Sequence, residues 1–182
     1  MKQESMVKYI LRLALTLLAI TALVAAALAG VNYITAPIIR AANEAKTQAA
    51  IEAVLEGGGS SVDFTDTTGM VTAVYASDKG YAVQVAPGGF NGPIQMMVGV
   101  SKDGKILGVS VITQTETAGL GAIAGADNDA GQEFRDQYMG LSGLLAVDKD
   151  GGEIQSITGA TVTSRAVTKG INAALDCVAN MG

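Results

Sequence analysis

The chain has 182 residues, a formal net charge of −5, one cysteine and no histidine. This length allows one domain with a short additional element. The chain cannot form an internal disulfide, a cysteine-ligated iron–sulfur cluster or a zinc site of the usual kind, so we expect no metal site. Any redox chemistry must therefore come from a bound organic cofactor.

An uncharged, apolar run of 27 residues extends from Leu13 to Ile39. As a helix it would be roughly 40 Å long, which exceeds the hydrocarbon thickness of a membrane, about 30 Å. The run therefore predicts a transmembrane helix. A cleavable signal peptide is the alternative, because Ala27-Leu28-Ala29 before Gly30 resembles a cleavage site. The apolar residues continue beyond that site, which favours a membrane anchor.

The segments on the two sides of this run carry opposite net charge. Residues 1–12 have a net charge of +2, whereas residues 41–182 have a net charge of −8. Because positive segments stay on the cytoplasmic side, we expect a single pass through the cell (inner) membrane with a cytoplasmic N-terminus. The C-terminal domain would then be extracytoplasmic. Its acidity also argues against a nucleic-acid partner.

The apolar run is followed by a segment of different composition. Pro37 can kink or end the helix. Helix-forming residues continue from Ala42 to Glu56, either as a stalk or as the first helix of the domain, until Gly57-Gly58-Gly59. The predicted organisation is a cytoplasmic N-terminus at 1–12, a transmembrane helix at 13–39, a stalk helix and linker at 40–60, and an extracytoplasmic domain at 61–182.

The rest of the chain reads as strands followed by helices. Strand patterns cover residues 71–76, 80–86, 94–101 and 105–113, and an Asp103-Gly104 turn joins the last two as a hairpin. Shorter strands are expected at 144–147 and 153–157, and helices at 130–139 and 164–180, the last with Cys177 on its apolar side. This order predicts an α+β fold, in which a single N-terminal transmembrane helix precedes a small sheet-plus-helices domain.

The most informative motif is Thr158-Gly159-Ala160-Thr161, followed by Val162-Thr163-Ser164, just before the last predicted helix. Its small residues let a phosphorylated group approach the backbone, its hydroxyls offer an oxygen for bonding, and the helix N-terminus favours an anion. Arg165 and Lys169 on the first turns add positive charge. Taken alone, the motif is more typical of a turn that caps a helix than of a binding site.

A second segment, Glu116-Thr117-Ala118-Gly119-Leu120-Gly121, lies about 40 residues upstream of Thr161. Its glycines allow the backbone to approach a flat ring, on which Leu120 can pack. Glu116 is either a pocket residue or a solvated loop carboxylate. In the loop at 89–94, Phe90 either packs in the core or contacts the ligand.

These segments resemble motifs of the FMN-binding domain family, which includes the G subunit of the Rnf complex and the C subunit of the sodium-pumping NADH:quinone reductase. The resemblance implies FMN joined by a phosphodiester to Thr161 and attached by a flavin transferase. The implied cofactor-binding residues are Glu116, Thr117, Gly119, Leu120, Gly121, Thr158, Gly159, Ala160, Thr163 and Ser164. The family often has Asp where this chain has Gln155, and Pro where it has Ala118. The first difference removes a carboxylate, which would weaken recognition of this chain by the transferase.

The resemblance also implies a function. It predicts the electron-transfer subunit of a membrane-bound, ion-translocating ferredoxin:NAD oxidoreductase complex that moves Na⁺ or H⁺. We expect no catalytic residue in this chain alone, and other membrane and peripheral subunits as its partners. The alternatives are a component like the C subunit of the quinone reductase, another flavinylated extracytoplasmic carrier, and a non-enzymatic anchored domain. The short length and single anchor favour the G subunit.

Overall fold

A computed structural model describes the backbone of residues 2–181 and the side chains of residues 6–181. The first helix, α1, spans Lys2–Val54 and contains Pro37. The alternative that Pro37 ends this helix is wrong, because α1 continues past Pro37 to Val54. Proline removes one backbone hydrogen bond and crowds the preceding turn, which can kink a helix without ending it. Residues up to Ala45 form one compact unit, and residues from Lys46 onward form a second.

The first unit is dominated by exposed apolar side chains of α1. Its most apolar 18-residue window has a mean hydropathy of 2.4, and none of that window is buried inside the chain. Large apolar residues such as Leu17, Leu23 and Leu28 are 65–73% exposed. The helix is therefore long and apolar enough to cross a membrane.

The second unit is built around a five-stranded antiparallel meander in the order β1-β2-β3-β4-β5. The strands are β1 (Ser60–Val62), β2 (Val71–Ala76), β3 (Gly80–Val85), β4 (Gln95–Ser101) and β5 (Ile106–Thr113). The four predicted longer strands and the β4–β5 hairpin are confirmed. In that hairpin Gly104 has a φ of +73°, which the tight turn requires.

The two short strands predicted at 144–147 and 153–157 are wrong. The structure instead has one isolated parallel bridge between Val147 and Ile154. A 3₁₀ turn at Asp148–Asp150 lies between them. Because the connecting residues form this tight turn, only one pair of residues aligns and no strand ladder develops.

Two further helices complete the α+β fold that the sequence predicted. The short helix α2 spans Asp129–Asp136, and the long helix α3 spans Thr161–Ala179. α3 packs against β2, β3 and β4. Its buried residues include Cys177, whose position on the apolar side of the helix is confirmed.

The end of α1 also belongs to the domain. Ile51, Val54 and Leu55 are buried in a second apolar cluster together with Ala82 of β3 and Met97 of β4. Side chains alternate between the two faces of a strand, so the neighbouring apolar residues of β3 and β4 join the main core instead. The sheet is thus covered on both faces, and the region near the end of β5 is where the sequence motifs converge.

Candidate functional site

The two sequence motifs meet where β5 ends and α3 begins. The loop after β5 leads to a 3₁₀ turn at Gly121–Gly125, and the turn before α3 lies beside it. Together they border a cavity of about 390 Å³, which is within the range of about 300–1,000 Å³ found for small-molecule sites. The lining residues are Phe90, Glu116, Thr117, Leu120, Gly121, Gly159, Ala160, Thr161, Val162 and Thr163.

The last helix starts at Thr161, three residues before the predicted start at Ser164. β-branched Thr and Val residues are weak helix formers, so local preference placed the start too late. Ala160 occupies the N-cap position and supplies no side-chain hydrogen bond. The backbone N–H groups of the first turn therefore have neither an intrahelical acceptor nor a cap, which makes this end favourable for an anion.

Thr161 differs from the other hydroxyl residues near the start of α3. The hydroxyls of Thr163, Ser164 and Thr168 each donate a hydrogen bond to an oxygen of the protein. Thr161 is half-buried at the cavity, and no residue within the described part of the chain accepts a hydrogen bond from its hydroxyl. Among the hydroxyl residues that line the cavity from α3, Thr161 is thus the one whose oxygen is not bound to another described residue.

Gly159 brings the two motifs into contact. Its φ is +74°, a conformation that favours glycine, and a side chain at this position would approach Leu120 Cδ2 to 3.1 Å. Leu120 is itself 41% exposed. The turn before α3 therefore packs closely on the apolar side chain of the other motif.

Glu116 is buried beneath the cavity, so the alternative of a solvated loop carboxylate is wrong. Its Oε1 accepts a hydrogen bond from the backbone N–H of Asn91 at 2.9 Å, and its Oε2 accepts one from the Thr163 hydroxyl. A side chain at Gly121 would come within 2.7 Å of Oε2, and one at Gly89 within 2.6 Å of Oε1. A side chain at either glycine would therefore displace this carboxylate or its neighbours.

Phe90 lies at the cavity and not in the core. It is 67% exposed, so the alternative that it packs in the core is wrong; Ile94, four residues later, is 1% exposed and packs there instead. Leu120 and Val162 are also exposed beside the cavity. These three apolar side chains form a local apolar patch, which is typical of a binding site.

Comparison with known proteins identifies the same region. The model of the FMN-binding domain family matches residues 89–176. The chain is 33% identical over 200 residues to the G subunit of the Na(+)-translocating ferredoxin:NAD(+) oxidoreductase complex of Acetobacterium woodii, in an alignment that covers 96% of this chain and 94% of that protein. The chain belongs to the FMN-binding domain family, among its G-subunit members.

Other members of the family match over shorter lengths. The G subunit of the proton-translocating ferredoxin:NAD(+) oxidoreductase complex of Clostridium ljungdahlii is 38% identical over 109 residues, covering 57% of this chain and 58% of that protein. The crystal structure of the C subunit of the Na(+)-translocating NADH-quinone reductase from Parabacteroides distasonis has a TM-score of 0.43 and 26% identity, covering 58% of each chain. All residues that line the cavity lie inside the FMN-binding segment 89–176.

Three predicted site residues do not line the cavity of this FMN-binding domain. Gly119 and Thr158 are exposed on the adjoining loops. Ser164 is fully buried, where its hydroxyl accepts the Ile157 N–H at 3.0 Å and donates to the Ala160 carbonyl at 3.1 Å. Ser164 thus closes the turn that carries Gly159 and Thr161.

The positive charges near the start of α3 do not border the cavity. The Arg165 guanidinium donates to both carboxylate oxygens of Asp150, at 2.6 and 2.7 Å. This pair lowers the pKa of Asp150 and raises that of Arg165. Lys169 lies in a separate groove with the same two residues. Asp150 therefore offsets the positive charge of Arg165 near the start of α3.

Sequence reasoning missed the residues that hold the turn before Thr161. Asp148 Oδ1 accepts the Ser156 N–H at 3.0 Å as well as the Ser156 hydroxyl, and the hydroxyl is the main reason that the pKa of Asp148 falls well below its usual range. Gln137 Oε1 accepts the Gln155 N–H at 2.7 Å. The Gln155 side chain, where the family often has Asp, remains exposed. No local pattern signals these contacts, because they join separate segments.

Proposed function

We infer that this chain is an electron-transfer subunit of a membrane-bound, ion-translocating ferredoxin:NAD oxidoreductase complex, with FMN held beside Thr161. The observation that carries this inference is the single cavity that residues 116–121 share with residues 159–163. The class of complex follows from the names of the G-subunit relatives. Membership of such a complex means that the chain has no complete active site of its own, and that other membrane and peripheral subunits supply the electron donor and acceptor.

The cavity residues suit the separate parts of FMN. Phe90, Leu120 and Val162 would contact the flat apolar ring, and backbone N–H groups at the start of α3 would hold the phosphate. FMN supplies the ability to accept and release electrons when it is bound. The protein supplies the binding surface, the orientation of the ring and the local charge around it.

The attachment point we infer is the hydroxyl oxygen of Thr161. This oxygen would form the new P–O bond of a phosphodiester, and its proton would pass to a base of the transferase. The donor must be an activated flavin nucleotide, such as a flavin dinucleotide, because the bond to its nucleoside monophosphate breaks as the new bond forms. The diester keeps one negative charge, which the N-terminus of α3 stabilises. A covalent bond also prevents loss of FMN from a cavity that borders solvent.

The apolar part of α1 anchors the domain in the cell (inner) membrane under this proposal. The segment before Leu13 carries a net charge of +2, and the segment after Arg40 carries −8. This asymmetry supports a cytoplasmic N-terminus and an extracytoplasmic FMN-binding domain. An extracytoplasmic domain would be reached by the transferase on that side and would relay electrons to neighbouring subunits there.

The test is covalent flavin fluorescence of the full-length chain. The chain is co-produced with a flavin transferase, separated by denaturing electrophoresis and viewed under ultraviolet light. Thr161→Ala removes the attacking oxygen, whereas Thr161→Ser keeps it and serves as the matched control. We expect wild type and Thr161→Ser to fluoresce and Thr161→Ala to be dark. A dark wild-type band beside a fluorescent control substrate, or a fluorescent Thr161→Ala band, would contradict attachment at Thr161.

A further inference from the structure

The Glu116 carboxylate joins two segments that are far apart in the sequence. Oε1 accepts the backbone N–H of Asn91 at 2.9 Å, next to Phe90, and Oε2 accepts the hydroxyl of Thr163 in the first turn of α3. We propose that Glu116 is a positioning residue that holds the start of α3 against the Phe90 loop and so presents Thr161 to the cavity. This role rests on the function proposed above, since it concerns how the FMN site is formed.

Thr163 holds the turn of α3 that carries Thr161. Both threonines belong to the first turn of α3, and both line the same cavity. Thr163 is 2% exposed, whereas Thr161 is half-buried. Because Glu116 binds the Thr163 side chain, the first turn of α3 is held against residue 116, and Thr161 stays at the cavity.

Asn91 attaches the loop that carries Phe90 to the segment that carries Glu116. Besides the bond from its N–H to Glu116, its side-chain amide donates to Thr117 Oγ1 at 3.3 Å, and its carbonyl accepts the Thr115 hydroxyl at 3.1 Å. The loop that carries Phe90 is therefore attached to residues 115–117 at three points. Glu116 is the member of this group that also reaches α3.

The surroundings of Glu116 leave little room for another arrangement. The residue is 8% exposed, and a buried carboxylate is stable only when hydrogen bonds replace its hydration. Gly89 and Gly121 lie so close to its oxygens that neither position has space for a side chain. Glutamine would fit the same space as Glu116. Its carbonyl oxygen can accept the Asn91 N–H and its amide can donate to Thr163, so it keeps both contacts and removes only the charge.

The experiment measures FMN per chain in the full-length protein co-produced with a flavin transferase. The disrupting variants are Glu116→Ala, Thr163→Val and the double variant; the conservative ones are Glu116→Gln and Thr163→Ser. Thr168→Val is the matched control, because it removes a buried hydroxyl from the same helix where the partners are Ser164 and Tyr138, away from the cavity. In-gel fluorescence gives the covalent load, iodide quenching gives the exposure of attached flavin, and thermal unfolding monitors the fold.

Glu116→Ala and Thr163→Val should each lower FMN per chain about tenfold and increase iodide quenching of the remainder, since each breaks a hydrogen bond to a buried charged group. The double variant should be no worse than the more severe single one. Glu116→Gln, Thr163→Ser and Thr168→Val should stay near wild type. The proposal is overturned if Thr163→Val and Thr168→Val have the same FMN per chain and the same iodide quenching. It is also overturned if Glu116→Gln loses FMN while Thr163→Val keeps it. A wild type without FMN would instead overturn the proposed function.

Discussion

In the described part of the chain, two buried hydroxyls of helix α3 bind side chains of other segments, one at the cavity and one in the core. At the cavity, the Thr163 hydroxyl donates to the carboxylate of Glu116. In the core, Thr168 and Tyr138 share a hydrogen bond of 2.8 Å between two hydroxyls. Both contacts are buried, both join α3 to a distant part of the chain, and both satisfy their polar atoms. They differ in charge and in what surrounds them.

The core contact is surrounded by apolar packing. The Phe134 and Tyr138 rings meet edge to face, with centroids 5.7 Å apart, and burial raises the pKa of Tyr138 to about 12. The cavity contact instead has glycines on both sides of a carboxylate and borders open space. The neutral contact inside apolar packing therefore contributes to stability, whereas under our proposal the carboxylate contact beside the cavity places the ligand.

The largest effect should come from removing the core aromatic ring. Tyr138→Ala should lower the free energy of unfolding by about 3–5 kcal/mol, because it leaves a large void. Tyr138→Phe keeps the ring and should lower it by about 1 kcal/mol through the lost hydrogen bond. Chemical denaturation of the full-length chain in detergent measures both. FMN per folded chain should not change in Tyr138→Phe; a loss there would show that the core contact also forms the site.

A smaller effect on stability, with a larger one on FMN, should follow from Gly121→Ala. The added methyl group would lie 2.7 Å from Glu116 Oε2, so the carboxylate or Thr163 must move. Overpacking of this kind typically costs about 1–3 kcal/mol, and the displaced carboxylate should reduce the FMN load. Gly88→Ala is the control, because no atom lies within 4 Å of the added group. Equal FMN loads in the two variants would argue against a close fit around Glu116.

More of the fold than of the site could be predicted from short segments of the sequence. The β4–β5 hairpin was predictable because alternating apolar residues and the Asp103-Gly104 turn specify it within one short segment. The position of Cys177 followed from helical spacing. The motif resemblance also predicted the family, which the comparisons confirm. The individual site residues remain predictions, since a cavity shows where a ligand fits and not which atoms it contacts.

The features missed at the site depend on contacts between distant segments. The first turn of α3, which begins at Thr161, contains Thr163, and Thr163 binds Glu116, 47 residues away in sequence. Helix preference alone cannot include such a contact, so the predicted start was late. Phe90 was ambiguous for a related reason: an aromatic residue in a loop packs inward or lines a pocket according to which neighbours fill the core. Here Ile94 fills it.

The smallest effect concerns acid stability of the turn before the site. In the folded state the Ser156 hydroxyl lowers the pKa of Asp148. Ionised Asp148 therefore stabilises the fold at pH values above its unfolded pKa of about 3.9. This stabilisation is lost as the pH falls below that value. Ser156→Ala should raise the pKa of Asp148 and make stability less sensitive to pH in this range. The effect is modest because the backbone N–H of residue 156 and Lys149 still bind the carboxylate. Carbon NMR titration of Asp148 measures the shift, with the exposed Ser142→Ala as control. A wild-type Asp148 that titrates at its ordinary value would show that the Ser156 contact does not hold this turn.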